Sequence, residues 1–141
     1  MRALAQHHGD RTPVKAQDFL EQCLGSNKRA DCWVAQRQGK LCGFILSYDL
    51  FNFVRAKPTR NIDLLFVQPD SRKAGIGRKL MITVAQDAMK QGIARMVVSA
   101  APDNPATHKF YQRLGLQKEY KRSMRFPLDA VLIAVLAKTE V

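Results

Sequence analysis

A chain of 141 residues with 46% hydrophobic and 25% charged side chains fits one globular domain over residues 1–141, and nothing in the composition suggests a second. A net charge of +11, from 23 basic and 12 acidic residues, draws in anions of any kind, whether nucleic acid, an acidic surface or phosphate, and disfavours polyamine partners. Cys23, Cys32 and Cys42 are an odd number without C-x-x-C spacing; this argues against a disulfide framework or zinc site and reads as three small buried hydrophobes in a reducing cytoplasm.

The N-terminal MRALAQHHGDR holds no apolar run of signal-peptide length, and no segment is long enough to cross a bilayer, so a soluble protein without a membrane partner is expected. Residues 2–8 suit a short helix. Val14 to Leu24 suit a better one, apolar at Phe19, Leu20, Cys23 and Leu24 and closed by Gly25. After a loop at Ser26 to Arg29, Cys32–Ala35 and Leu41–Tyr48 read as strands joined by a hairpin turn at Arg37-Gln38-Gly39-Lys40. Phe51-Asn52-Phe53-Val54 has two readings: it extends the second strand, or it belongs to a loop ending at Pro58, where its phenylalanines would wall a pocket. Asn61 to Val67 forms the third strand, ended by Gln68-Pro69-Asp70. Ile76, Leu80, Val84 and Ala88 then recur at i+4 with Met81, Ala85 and Met89 beside them, a helix that stops at Gly92. Arg95 to Ser99 is a short β-branched run, so the order strand, helix, strand predicts a parallel pair with a right-handed crossover. Asn104 as N-cap, Pro105 at the first position and Gly115 past the end frame one more helix.

Between the third strand and its helix lies a segment suited to a polyanion. Gly75 and Gly77 remove the Cβ atoms that would keep a ligand from the free N–H groups of the helix's first turn, where the dipole also favours phosphate. Arg72, Lys73, Arg78 and Lys79 add four cations around the same loop. A P-loop would need Gly-Lys-Ser/Thr, and a dinucleotide fingerprint a third glycine, where this chain has Leu80.

At Arg72-Lys73-Ala74-Gly75-Ile76-Gly77 the chain resembles the GNAT superfamily of N-acetyltransferases, whose acetyl-CoA motif is Gln/Arg-x-x-Gly-x-Gly/Ala after a strand and before a helix. Asn104-Pro105 and then Phe110-Tyr111-Gln112-Arg113-Leu114-Gly115-Leu116 resemble the family's next helix, with its starting Asn and its closing aromatic-Tyr-x-x-Leu-Gly sequence. The resemblance covers roughly Asn61 to Leu116, and the family's usual first strand is missing from the short N-terminus. It implies an α/β fold, a single GNAT-like domain with a mixed central sheet flanked by helices and parallel strands splayed around the CoA site. It implies acetyl-CoA as acyl donor, a primary amine of a small molecule, peptide or protein as acceptor, and no metal. The missing HExxH, Cys/His and paired-carboxylate patterns also argue against a hydrolase.

The resemblance also assigns residues. The pantetheine arm would pair with the backbone of Leu65, Phe66 and Val67 as an added strand does, and the pyrophosphate would meet Lys73, Ala74, Gly75, Ile76, Gly77 and Arg78, with Arg72 beside them. Tyr111 stands where the family's general acid stands. Asp63, on the strand before the phosphate loop, is the candidate base, since some members carry a carboxylate there. Asn104 and Lys109 are secondary CoA candidates, and His108 reads as a surface histidine.

Beyond Leu116 the match fades. Tyr120, Arg122, Met124 and Phe126 alternate as in a half-buried strand, and Leu128 to Ala137 forms an apolar stretch suited to a core element or to a subunit contact in a homodimer. Two other functions fit parts of the chain: a CoA-binding module without turnover, and a basic nucleic-acid or ribosome binder. The latter needs aromatics interleaved with cations on one exposed face, for which the sequence offers only Tyr120-Lys121-Arg122 and Phe53-Val54-Arg55.

Overall fold

Alternating apolar runs and two tight turns build a four-stranded sheet in the computed structural model, which describes residues 15–118. The strands are β1 (Asp31–Arg37), β2 (Lys40–Asn52), β3 (Lys57–Val67) and β4 (Arg95–Val98), in the spatial order β1-β2-β3-β4. The first two pairings are antiparallel and the third is parallel, as the strand-helix-strand order requires. The helices are α1 (Ala16–Leu24), α2 (Ile76–Lys90) and α3 (Pro105–Arg113). The chain divides into two compact units, residues 1–108 and 109–141. The expectations for residues 2–8, for the Tyr120 to Phe126 alternation and for the Leu128 to Ala137 contact lie outside the described residues.

The β1–β2 turn has positive φ at both central residues, Gln38 (51°) and Gly39 (77°), a backbone twist that matches the strands it joins. The ambiguous stretch divides. Phe51 and Asn52 end β2, while Phe53 to Ala56 form the turn, with Asn52 Oδ1 accepting from the Arg55 N–H at 3.0 Å. β3 therefore begins at Lys57 rather than Asn61. Pro58, opposite Phe51, is tolerated because it precedes Thr59, where pairing with β4 begins. Phe51 and Phe53 pack edge to face at 5.1 Å and stay exposed.

The two sheet faces carry different layers. On one, Phe44 lies between Phe19 of α1 and Phe66 of β3, at 6.3 and 6.0 Å between ring centroids. On the other, α2 buries Leu80, Met81, Val84 and Ala88, close to the expected i+4 stripe, while Met89 is exposed. Ile45 and Ile62 complete the buried core of the strands.

One register shift matters for the site. Leu46 pairs with Leu64, but Ser47 pairs with Ile62, so Asp63 is an extra residue, a β-bulge. Arg60 and Phe66, both even-numbered, would share a face on an unbroken strand. Instead Arg60 reaches Asp87 of α2, and Phe66 packs in the Phe44 stack.

Candidate functional site

β4 lies beside β3 only from Thr59 to Ile62. At Asp63 the bulge turns β3 aside, and along Leu64 to Val67 no strand flanks it on the β4 side among the described residues. The parallel pair thus opens at its C-terminal end and leaves a stretch of strand edge unpaired. Asp63, exposed, stands at the point where the two strands part.

The edge runs directly into the glycine loop. After a 3-10 turn at Pro69–Ser71, the guanidinium of Arg72 folds back and its Nε donates to the Val67 carbonyl at 3.0 Å, tying the loop to the end of β3. Lys73 has φ 62° and Gly75 φ 77°, so two left-handed residues bend the backbone into a concave turn. Lysine adopts such a φ only under strain, a cost of order 1–3 kcal/mol that backbone outliers at binding loops commonly carry. A Cβ at Gly75 would meet nothing within 4 Å; the space above the loop is open.

Helix α2 begins at Ile76, and the Lys79 N–H is the first to bond back, to the Gly75 carbonyl at 3.0 Å. The N–H groups of Ile76, Gly77 and Arg78 therefore have no partner within the helix. Arg72, Lys73, Arg78 and Lys79 are exposed, and none is ion-paired among the described residues. Unpaired strand edge, open glycine turn, free helix donors and four cations are contiguous in one unit of the structure.

The remaining candidates lie on or before α3. Asn104 caps it, its Oδ1 accepting from the Thr107 N–H at 3.1 Å. His108 Nε2 bonds the Ala101 carbonyl at 2.8 Å, which ties the helix start to the preceding loop. Lys109 is exposed, and Tyr111 is half-buried beside Phe110, at 5.2 Å between ring centroids; both belong to the second unit. Burial pushes the Tyr111 phenol above its ordinary value, which keeps it protonated at neutral pH. Burial pushes the Cys32 thiol up to about 11, with the Cys23 charge adding to it, so this thiol is a poor nucleophile.

Two residues that shape this region belong to none of the motifs in the sequence. Arg60 is wholly buried and holds Asp49 of β2 through Nε (2.7 Å) and Nη2 (2.8 Å) and Asp87 of α2 through Nη1 (2.6 Å), with its guanidinium 5.7 Å from the Trp33 ring. Its pKa is driven further up, first by the bonds to Asp49. Gly43, buried on β2, packs where β3 meets α2. Nothing in the sequence points to the first; a lone glycine inside a strand pattern, which marks close backbone approach, is the clue to the second.

The profile of the acetyltransferase (GNAT) family matches residues 2–116. N-acetyltransferase family 8 member 3 of Mus musculus is 29% identical over 86 residues, covering 61% of this chain and 38% of that protein. Aminoglycoside N(6')-acetyltransferase type 1 of Salmonella typhimurium is 25% identical over 89 residues, covering 61% of each. The chain thus matches between 38% and 61% of these relatives' own length. An integron cassette protein from the mobile metagenome of V. cholerae shares the fold at TM-score 0.77 and 22% identity, over 97% of this chain and 86% of that one. So does AAC(6')-Iy in complex with the bisubstrate analog CoA-S-monomethyl-acetylneamine, at TM-score 0.74 and 20% identity, over 92% and 89%. Among the described residues no helix is long and apolar enough to cross a membrane. With a profile that runs through both motifs and the whole described sheet, the chain belongs to the acetyltransferase (GNAT) family.

Proposed function

We propose that this chain is an acetyl-CoA-dependent N-acetyltransferase acting on a primary amine in the cytoplasm. The observation that supports it most is the unpaired half of β3 leading into the open turn at Gly75, because one ligand with an amide-bearing arm and a pyrophosphate needs those two features end to end. When bound, acetyl-CoA supplies an activated acetyl thioester. The backbone of Leu65, Phe66 and Val67 would pair with the pantetheine amides as an added strand does. The N–H groups of Ile76, Gly77 and Arg78, with the charges of Lys73, Arg78 and Arg72 near Ala74 and Gly75, would hold the pyrophosphate. The family resemblance alone assigns Lys109 to the cofactor, as a further cation; Asn104, whose Oδ1 accepts from the Thr107 N–H, would offer its amide nitrogen.

Gly75→Val tests the cradle. A β-branched residue is strained at φ 77°, and its bulk enters the space a phosphate would take. CoA affinity by calorimetry is expected to fall by about thirtyfold, or about 2 kcal/mol, with the fold intact. A folded variant with wild-type affinity would end the acetyl-CoA reading.

The acceptor must react as a neutral amine, and for a lysine-like group holding that form at pH 7 costs about 4.6 kcal/mol. Asp63, at the mouth of the splayed strands, is the proposed base, directly or through water. Asp63→Asn is expected to depress kcat/KM for the amine while CoA affinity by calorimetry stays as in wild type. An unchanged kcat/KM would leave Asp63 a structural bulge residue. Asp31 and Asp49 are engaged by Lys28 and Arg60.

A further inference from the structure

We infer that Gly43 is a positioning residue for the phosphate cradle, an inference that rests on the acetyl-CoA reading above. Gly43 pairs with Val67, the last residue of β3. A Cβ there would lie 2.8 Å from the Phe66 carbonyl oxygen, 3.4 Å from Cγ2 of Ile76 and 3.4 Å from Cα of Val67. The first contact is shorter than packed atoms tolerate, and it is made to backbone, which cannot rotate away as a side chain can. These neighbours belong to the two halves of the site: Phe66 and Val67 to the unpaired strand edge, Ile76 to the first turn of α2.

The strain of an added methyl has few places to go. On the β1 side, β2 is held by the Cys42 thiol donating to the Ala35 carbonyl at 3.3 Å, and Cys42 itself is an extra residue in that register. The Cys42 carbonyl accepts from the Gln68 N–H at 2.8 Å, which fixes β2 to the start of the loop. Helix α2 is fixed near its far end by the Asp87 bond to Arg60. The Ile76 methyl, at 3.4 Å, is at ordinary contact distance, so the displacement falls on the Phe66 end of β3, which shifts against the N–H groups of Ile76, Gly77 and Arg78. A small residue at 43 lets strand edge and helix donors stand in the relative position that one CoA molecule must span.

The test compares Gly43→Ala with Ile45→Ala, a change at a wholly buried residue two positions along the same face. Both are expected to lower the urea midpoint, since both disturb the core. Only Gly43→Ala is expected to weaken CoA binding measured by calorimetry, by about tenfold, the loss when one charge-assisted hydrogen bond to phosphate is misaligned. Equal CoA affinity in Gly43→Ala and wild type, or equal weakening in both variants, would overturn the inference and make Gly43 an ordinary packing residue. If Gly43→Ala does not fold, the same comparison is made between Gly43→Ala/Ile76→Ala and Ile76→Ala alone, where the helix side is relieved and the Phe66 carbonyl contact remains. The same affinity in that pair overturns it equally. Wild-type protein that fails to bind CoA, or a Gly75→Val variant that binds it undiminished, would instead remove the reading on which the inference rests.

Discussion

Arg60→Met is expected to lower the unfolding free energy by about 3 kcal/mol, a large part of the 5–15 kcal/mol typical of a domain. Methionine keeps much of the aliphatic volume, so the cavity contribution is small and the loss reports the charge. Three charge-assisted bonds from a wholly buried guanidinium disappear, and Asp49 and Asp87 are left facing each other across the space. Because both carboxylates are about a third exposed, water recovers some of the cost, which sets the figure at the lower end for a broken buried pair. Arg60→Lys is expected to be intermediate, since a single ammonium cannot reproduce the fork that meets Asp49 on two atoms. Urea denaturation checks both. A shift of less than about 1 kcal/mol for Arg60→Met would mean that the cluster is no stronger than a surface ion pair.

Tyr111→Phe is expected to fold and to bind CoA as wild type does, while kcat falls by about 10²-fold or more with little change in the Michaelis constant for acetyl-CoA. The departing thiolate needs a proton, and the resemblance places the donor at this position. Burial raises the phenol above its usual value. The protonated form is therefore complete at neutral pH and is lost only as the pH climbs past the raised value, so the descending limb attributable to Tyr111 lies above the ordinary phenol range. The phenyl ring of the variant preserves packing against Phe110, so a purely structural tyrosine leaves kcat intact. Full turnover with an acceptor for which chemistry is rate-limiting would take the acid role away from Tyr111.

The parts of this protein that were legible in its sequence are those where local chemistry decides. Gly39 at a two-residue turn and the i+4 stripe of α2 follow from backbone freedom and helical period, and both stand in the structure as read, the exposed Met89 apart. What stayed hidden depends on partners distant in sequence. Arg60 looked like one more cation in a basic chain, because nothing near it shows that Asp49 and Asp87 converge on it from a neighbouring strand and a helix. Pro58 argued for a loop, since the lack of a partner strand on its β4 side, which makes a proline harmless, is a fact of topology. Among the site residues, Arg72 reads as a phosphate cation, but the bond from its Nε to the Val67 carbonyl gives it a second task of holding the loop in place. The bulge at Asp63 was invisible for a different reason: Ile62-Asp63-Leu64-Leu65-Phe66 is apolar toward both faces, so no alternation exists whose break could mark the extra residue.

That extra residue makes position 63 a matter of counting before it is a matter of chemistry. Every side chain after it on β3 is phased one step out from an unbroken count, so a strand that kept Asp63 but ran without the bulge would present Leu64 and Phe66 to the opposite layers, whereas a chain lacking the residue keeps both on their own layers and loses the bend. A carboxylate, an amide or a hydroxyl at 63 leaves the slot open and alters only what happens at its mouth. Removal of the residue closes the slot. A deletion here costs the bend and leaves the frame of the sheet as it was, and the tolerance of position 63 to mutation is accordingly wide in kind and narrow in length.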